Sequence, residues 1–322
     1  MEIFLAFLFL ALGFVLLLKG ADFLVKGSVS LAKKFNVSQL VIGLTIVAFG
    51  TSMPELIVNI ISSTGGFSDM VFGNVVGSNT ANILLILGIS GMIAPLAIQK
   101  STVWKEIPFA GMAVLLLFFL VNDNLFFGNP ENVLSRMDGI IFLALFVFFM
   151  FYAVKIVKIE IITEEQNEVE IYPSWKMALF IGGGLAGLFL GGNWVVDNAV
   201  ILAKKIGISE KLISLTIVSI GTSLPELATS AVAAYRKQSD IAVGNIVGSN
   251  IFNVFLILGV SAVVRPAPYD PVMNIDLYVC FTATLFLFLS TFSGKRNRID
   301  RWEAFVFFLS YAGYVSYLII RK

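Results

Sequence analysis

Histidine is absent from the 322 residues, and cysteine occurs once, at Cys280. The first absence removes the commonest transition-metal ligand and proton shuttle. It also removes the His-dependent metalloprotease and Ser/His chemistries, so an enzyme is not expected. The second excludes an intrachain disulfide and a cysteine metal cluster, and the apolar neighbours of Cys280 point to a buried structural thiol. Charge is scarce too: 13% of residues are Asp, Glu, Lys or Arg, against roughly 25% in soluble domains. A formal net charge of +1 gives no hint of a nucleic-acid partner.

What is plentiful is apolar length. Hydrophobic residues make up 58% of the chain and the mean hydropathy is +0.91. Runs long enough to cross about 30 Å of hydrocarbon as a helix recur at about 3–33, 38–64, 69–96, 104–122, 137–157, 174–204, 209–234, 239–264, 272–293 and 302–320. The fold class is therefore an all-α integral membrane protein with ten transmembrane helices. The start, MEIFLAFLFL, lacks the basic n-region of a signal peptide and continues into a full span, so it is expected to be retained as the first helix. Basic residues such as Lys33, Lys34, Lys100, Lys105, Arg296 and Arg298 concentrate in alternate connections. Cytoplasmic loops carry that excess, which places both termini outside.

The chain is written twice. "VIGLTIVAFGTSMPEL" (41–56) matches "LISLTIVSIGTSLPEL" (212–227), and "GNVVGSNTAN" (73–82) matches "GNIVGSNIFN" (244–253). The offset is the same for both pairs, 226 − 55 = 171 and 253 − 82 = 171. Each copy holds five spans, and an odd number sends the second copy into the membrane from the opposite side. The expected organisation is one transport unit: a first five-helix repeat over 1–157, an acidic linker over 158–173, and a second, inverted five-helix repeat over 174–322. In such inverted repeats, substrate sites lie near the midplane where the halves meet, often at broken helices. The linker carries Glu160, Glu164, Glu165, Glu168 and Glu170. It lacks the spacing and central glycine of an EF-hand loop and reads as a solvated connection.

The motifs "GTSMPEL" and "GTSLPEL" have a plain structural explanation. Ser52 to Glu55 fits a capping box, and Pro54 suits the first turn of a helix. Position favours a second role. Thr51 and Thr222 stand near the middle of their apolar runs, so a helix that starts there has also stopped there. Irregular backbone at that depth is tolerated only inside protein or beside a polar cavity, and an ionisable residue there is a functional candidate by default. The second motif adds oxygen. Asn74, Ser78 and Asn82 recur every four residues and share a helix face, as do Asn245, Ser249 and Asn253. Gly73 and Gly77, like Gly244 and Gly248, form a small-xxx-small pattern that suits close helix packing.

The donors expected to converge are the carboxylates of Glu55 and Glu226, the hydroxyls of Thr51, Ser52, Ser78, Thr222, Ser223 and Ser249, and the amides of Asn82 and Asn253. Carbonyls released at the breaks near Ala48 and Ser219 complete the set. All are hard oxygen donors, and two carboxylates balance one divalent cation. Calcium, which takes six to eight oxygens in flexible geometry, fits this chemistry best, with sodium able to share the site. Without a cation, two buried glutamates would face each other unpaired, at a cost of several kcal/mol per ion. The site should cross between inward-facing and outward-facing forms mainly when neutralised by calcium, sodium ions or protons. That favours exchange over leak.

These residues resemble a known family. The paired GTSxPEL and GNxxGSNxxN motifs are similar to the two α-repeats of the cation/calcium exchanger superfamily, in its sodium/calcium exchanger branch, and both halves carry them in order. The resemblance implies a ten-helix inverted-repeat fold in which long helices one and six slide against a core of the other eight. It implies antiport of Ca2+ against Na+ across a lipid bilayer by alternating access, with no cofactor. The acidic ligands then fall on Glu55 and Glu226, hydroxyl ligands on Thr51, Ser52, Thr222, Ser223, Ser78 and Ser249, carbonyl ligands on Ala48 and Ser219, and an amide ligand on Asn82. At Asn253 the family often has aspartate, so one titratable carboxylate is missing here. The proton-coupled branch tends to carry G-N-x-x-E instead; a Ca2+/H+ exchanger using the same glutamates is the alternative reading. A monomer in a prokaryotic cytoplasmic membrane is expected.

Overall fold

The computed structural model describes residues 2–128, 131–156, 171–205, 221–294 and 296–321. Strings of Leu, Phe, Val and Ala with few charges form the helices. These are α1 (Glu2–Phe35), α2 (Gln39–Thr51), α3 (Met53–Gly65), α4 (Ser68–Ile93), α5 (Thr102–Val121) and α6 (Arg136–Ile156). After the linker come α7 (Ser174–Lys205), α8 (Leu224–Tyr235), α9 (Ser239–Val264), α10 (Pro271–Ser290) and α11 (Arg301–Ile320). With α2 and α3 taken as one bent span, nine membrane-length spans lie among the described residues. The first half of the seventh run falls outside them, and α8 is its second half. The third run is shorter than its apolar stretch suggests. Its helix ends at Ile93, and Leu96–Ala97 leave it as a strand.

Two short ladders tie the repeats together. Strand β1 (Leu96–Ala97) pairs antiparallel with β4 (Arg298–Ile299), and β2 (Val133–Leu134) with β3 (Ala267–Pro268). β3 is the repeat mate of β1 (267 − 96 = 171), so each ladder joins one half to the other. Apart from these the described residues are all-α, in two repeats of opposite orientation.

Burial orders the helices. The apolar windows of α4 and α9 are 78% and 83% buried, whereas those of α1, α7 and α11 are 22%, 28% and 17% buried. The two GNxxGSNxxN helices are thus the centre, and α1 and α7 pack along each other at the lipid-facing side. In the second repeat the small-xxx-small pattern does what the spacing suggests. A Cβ on Gly248 would stand 2.8 Å from Ala48 Cβ, and one on Gly244 3.1 Å from the Leu40 carbonyl. The first-repeat equivalent of that contact would use residues 211–219, outside the described residues. Cys280 is buried and unpaired with another cysteine.

Candidate functional site

The span formed by α2 and α3 is broken at Ser52, whose φ and ψ of −84° and 6° leave the helical region, and the two pieces meet at 46°. Ser223 in the second repeat has φ −89° and ψ 7° and begins α8 in the same way. Pro54 and Pro225 occupy the first turns of the new helices, where their missing N–H costs nothing. The breaks put Glu55 and Glu226 one turn inside α3 and α8, both 1% exposed.

Neither serine caps its own helix. Ser52 Oγ crosses to the other repeat and donates to Glu226 Oε1 at 3.0 Å, with Ser249 Oγ also 3.0 Å away. Ser223 Oγ does the reciprocal, donating to Glu55 Oε1 at 3.3 Å and lying 3.1 Å from Ser78 Oγ. The capping-box geometry that the sequence allows at Ser52 is therefore not what forms. The hydroxyl is instead turned toward a buried carboxylate of the opposite half, in a charge-assisted bond.

Behind each glutamate an asparagine braces the helix. Asn74 Nδ2 donates to the Glu55 carbonyl (3.4 Å) and to Asn59 Oδ1 (2.6 Å). Asn245 Nδ2 donates to the Glu226 carbonyl (3.5 Å) and to Ser230 Oγ (3.0 Å). Thr51 Oγ1 donates toward Asn245 Oδ1 (3.0 Å) and the Ala48 carbonyl (3.3 Å). That carbonyl also accepts the Ser52 N–H at 3.0 Å. The break thus does not release Ala48 as the sequence suggested, because the last turn of α2 stays helical up to Ser52. Ser219 lies outside the described residues. Thr222 lies on the break and is half-buried.

The two amides of the site are oriented by residues that sequence reasoning passed over. Asn82 Nδ2 donates to Asn250 Oδ1, and Asn253 Nδ2 to Asn79 Oδ1, both at 2.9 Å. Asn79 and Asn250 stand in the quoted GSN triplets, but nothing in the triplet distinguishes a ligand from its support. With the donors used, Asn82 Oδ1 and Asn253 Oδ1 are left buried without a partner, and so are Glu55 Oε2 and Glu226 Oε2. π-turns begin at both amides, over Asn82–Ile86 and Asn253–Leu258. Such turns cluster at functional positions in helices.

Four buried acceptor oxygens without donors, two from each repeat, are hard donors suited to a cation. Ser52, three residues before Glu55, bonds Glu226, and Ser223, three before Glu226, bonds Glu55, so each break adjoins the carboxylate of the other repeat. Beside the breaks opens a cavity of about 260 Å³, lined by Pro54, Asn193, Asp197, Thr222 and Pro225 among others. Asn193 and Asp197, on α7, carried no signal in the duplicated motifs.

Comparison with known proteins gives the family. Residues 5–155 and 176–320 match the family described as sodium/calcium exchanger protein. The chain belongs to the sodium/calcium exchanger family. CaxA of Alkalimonas amylolytica is 38% identical over 98% of both chains. The sodium/calcium exchanger MaX1 of Methanosarcina acetivorans is 32% identical over 98% of this chain and 97% of its own. Among solved structures, the sodium-calcium exchanger NCX_Mj soaked with 10 mM Na+ and zero Ca2+ superimposes with a TM-score of 0.82 at 30% identity. That match covers 98% of this chain and 99% of NCX_Mj. The chain is thus an integral membrane transport protein of an antiporter family.

Proposed function

We propose that the protein exchanges Ca2+ for Na+ by alternating access through one central site shared by both repeats. The observation that carries this reading is the set of bare buried oxygens: Glu55 Oε2, Glu226 Oε2, Asn82 Oδ1 and Asn253 Oδ1. Two carboxylates balance one Ca2+, and the hydroxyls of Ser52, Ser223, Ser78 and Ser249 already touch or adjoin the carboxylates and turn their lone pairs toward the same ion. Thr51, Thr222 and the carbonyl of Ser219 complete the ligand set, the Ala48 carbonyl being held by Ser52 N–H and the Thr51 hydroxyl. Sodium ions use the same hard oxygens, which makes the two cargoes mutually exclusive.

The coupling follows from electrostatics. Moving two bare carboxylates through the protein interior costs several kcal/mol per ion, so the unloaded site stays on one side. Loading with Ca2+ or with Na+ removes that cost. The cavity at Asn193 and Asp197 gives the ions their route to Thr222, and α1 and α7 are the helices that move against the rest. The two repeats and the linker over 158–173 act as one transport unit, a monomer with both termini outside. The inner membrane is the proposed location, on the strength of the 37% identity over 81% of both chains to the inner membrane protein YrbG of Escherichia coli (strain K12).

The test is radiolabelled Ca2+ uptake into Na+-loaded proteoliposomes diluted into sodium-free buffer, with voltage and pH gradients clamped. Uptake that requires internal Na+, and that is lost in Glu55→Gln and in Glu226→Gln, is the expected result. Uptake driven by a pH gradient without sodium would overturn Na+ coupling in favour of protons. Transport surviving in both variants would remove the carboxylates from the mechanism.

A further inference from the structure

A third buried glutamate lies outside the duplicated motifs. Glu106 is 0% exposed at the start of α5. Its Oε1 accepts a hydrogen bond from the Tyr152 hydroxyl of α6, while Oε2 is buried without a partner. The hydroxyls of Ser101 and Thr102, five and four residues earlier, are also buried and without partners. A π-turn over Thr102–Glu106 widens the helix here. Five residues in such a turn bring Ser101 and Glu106 close to one face, with Thr102 flanking it on the other side.

The second repeat shows what this constellation lacks. Asp276 stands early in α10 as Glu106 does in α5, although one residue off the repeat register, in which 106 + 171 = 277 is Leu277. Asp276 also receives a tyrosine from the following helix, Tyr314, at 3.0 Å. There, however, Arg321 supplies the positive charge, at 3.1 Å from Asp276 Oδ2. Among the described residues no basic side chain pairs with Glu106. Lys105 is exposed, and Lys155 sits 4.4 Å over the Phe151 ring.

We infer that Glu106, Ser101 and Thr102 form a second cation site that takes one monovalent cation, Na+, where the other repeat uses Arg321. One carboxylate balances one unit of charge, which disfavours Ca2+, and the donors are the hard oxygens that sodium prefers. Tyr152 is a positioning residue: it fixes one carboxylate oxygen and so aims the other at the hydroxyls. The site lies in one repeat only, so it serves the first half of the transporter and does not alternate with the central site.

The experiment is independent of the central-site reading because it is done with the central carboxylates neutralised. Equilibrium binding of radiolabelled Na+ is measured on purified E55Q/E226Q protein, alone and with Glu106→Gln added. The expected result is a drop of one Na+ per chain on adding Glu106→Gln. Ser101→Ala with Thr102→Val should weaken that Na+ about tenfold or more, and Tyr152→Phe by a similar factor. The last variants keep the carboxylate and guard against a fold lost through Glu106→Gln. An unchanged Na+ count on adding Glu106→Gln, or Na+ affinity indifferent to the hydroxyl and phenol deletions, would overturn the site. Glu106 would then be a protonated carboxyl held by Tyr152.

Discussion

Asn79 and Asn250 hold each other across the interface between the repeats. Asn79 Nδ2 donates to the Asn250 carbonyl at 3.2 Å, and Asn250 Nδ2 returns a bond to the Asn79 carbonyl at 3.3 Å. With both amide nitrogens committed, each Oδ1 accepts from the asparagine three residues beyond its mate on the opposite helix, Asn253 or Asn82. The pair is the point at which the near two-fold relation of the repeats becomes chemical.

That arrangement separates two single substitutions. Asn79→Ala releases the Asn253 amide and Asn250→Ala releases the Asn82 amide, each leaving a buried carbonyl without its donor. Each change should cost about 1–3 kcal/mol of stability, read by thermal unfolding in detergent. Ca2+ affinity should fall by similar factors in the two, because each frees one site amide to turn its nitrogen toward the ion. An affinity that depends on Asn79 alone would show that the two amides do not share the ion.

Ser52 allows the capping and cross-repeat roles to be told apart. As a helix cap it would be replaced by aspartate at little or no cost, since aspartate is among the best N-caps. As a donor to Glu226 at 3.0 Å it cannot be, because a carboxylate there would oppose another in a buried site. Ser52→Asp should therefore be less stable than Ser52→Ala in cation-free buffer, and Ser223→Asp should behave in the same way opposite Glu55. Thermal unfolding in chelator decides it; an aspartate variant as stable as wild type would restore the cap.

The apolar runs, the duplication, the break at Ser52 and the burial of Glu55 and Glu226 were legible because each leaves a one-dimensional trace: length, offset, or a charge in an apolar run. The support around them was not. Ser52 to Glu226, Asn79 to Asn250 and Thr51 to Asn245 join residues 174, 171 and 194 positions apart, and no periodicity announces such a contact. The local rule for S-x-x-E pointed to a cap, and tertiary chemistry overrode it. Glu106 was passed over for a related reason. It sits beside Lys105 near the end of an apolar run, where a charge reads as solvated until the fold shows it buried.

At one end of the molecule α1 is tied to α8. Arg236 Nε lies 2.5 Å from Asp22 Oδ1, and Lys26 Nζ lies 2.9 Å from Asp22 Oδ2. The repeat mates of Asp22 and Lys26 are Asn193 and Asp197 (22 + 171 and 26 + 171), which line the cavity at the other end. An ion pair stands at one position where a cavity lies at its repeat counterpart. Asp22→Asn should ease opening on the bridged side and improve apparent Ca2+ affinity there by roughly two- to fivefold, the scale of a partly exposed pair. Arg236→Gln should do the same, and the double variant no more than either alone. Transport assayed in vesicles of both orientations checks it; equal or absent effects on the two sides would make the bridge a static contact.

At four glycines the surface between α1 and α7 is backbone on backbone. A Cβ on Gly20 would stand 2.8 Å from the Gly184 carbonyl and from Leu188 N, and one on Gly184 2.7 Å from Leu24 N. Gly191 repeats this one step along, 2.7 Å from Leu17 N, and Gly13 would meet the Gly191 carbonyl at 3.0 Å. Side chains interlocked across a helix pair resist translation along it, because every knob must leave its hole. At the glycines the helices present no knobs, side chains such as Phe9 with Trp194 and Phe23 with Phe180 meeting elsewhere along the contact, and the approach is too close for a methyl group to be absorbed by a rotamer change. Gly20→Ala and Gly184→Ala must push the helices apart, at about 1–3 kcal/mol each. No proposed ligand of the central site lies on α1 or α7. The expected outcome is a Ca2+ transport rate about tenfold lower, equivalent to ~1.4 kcal/mol in the barrier, with Ca2+ affinity at equilibrium unchanged. Affinity falling in step with the rate would mean that α1 and α7 brace the site instead of moving past it.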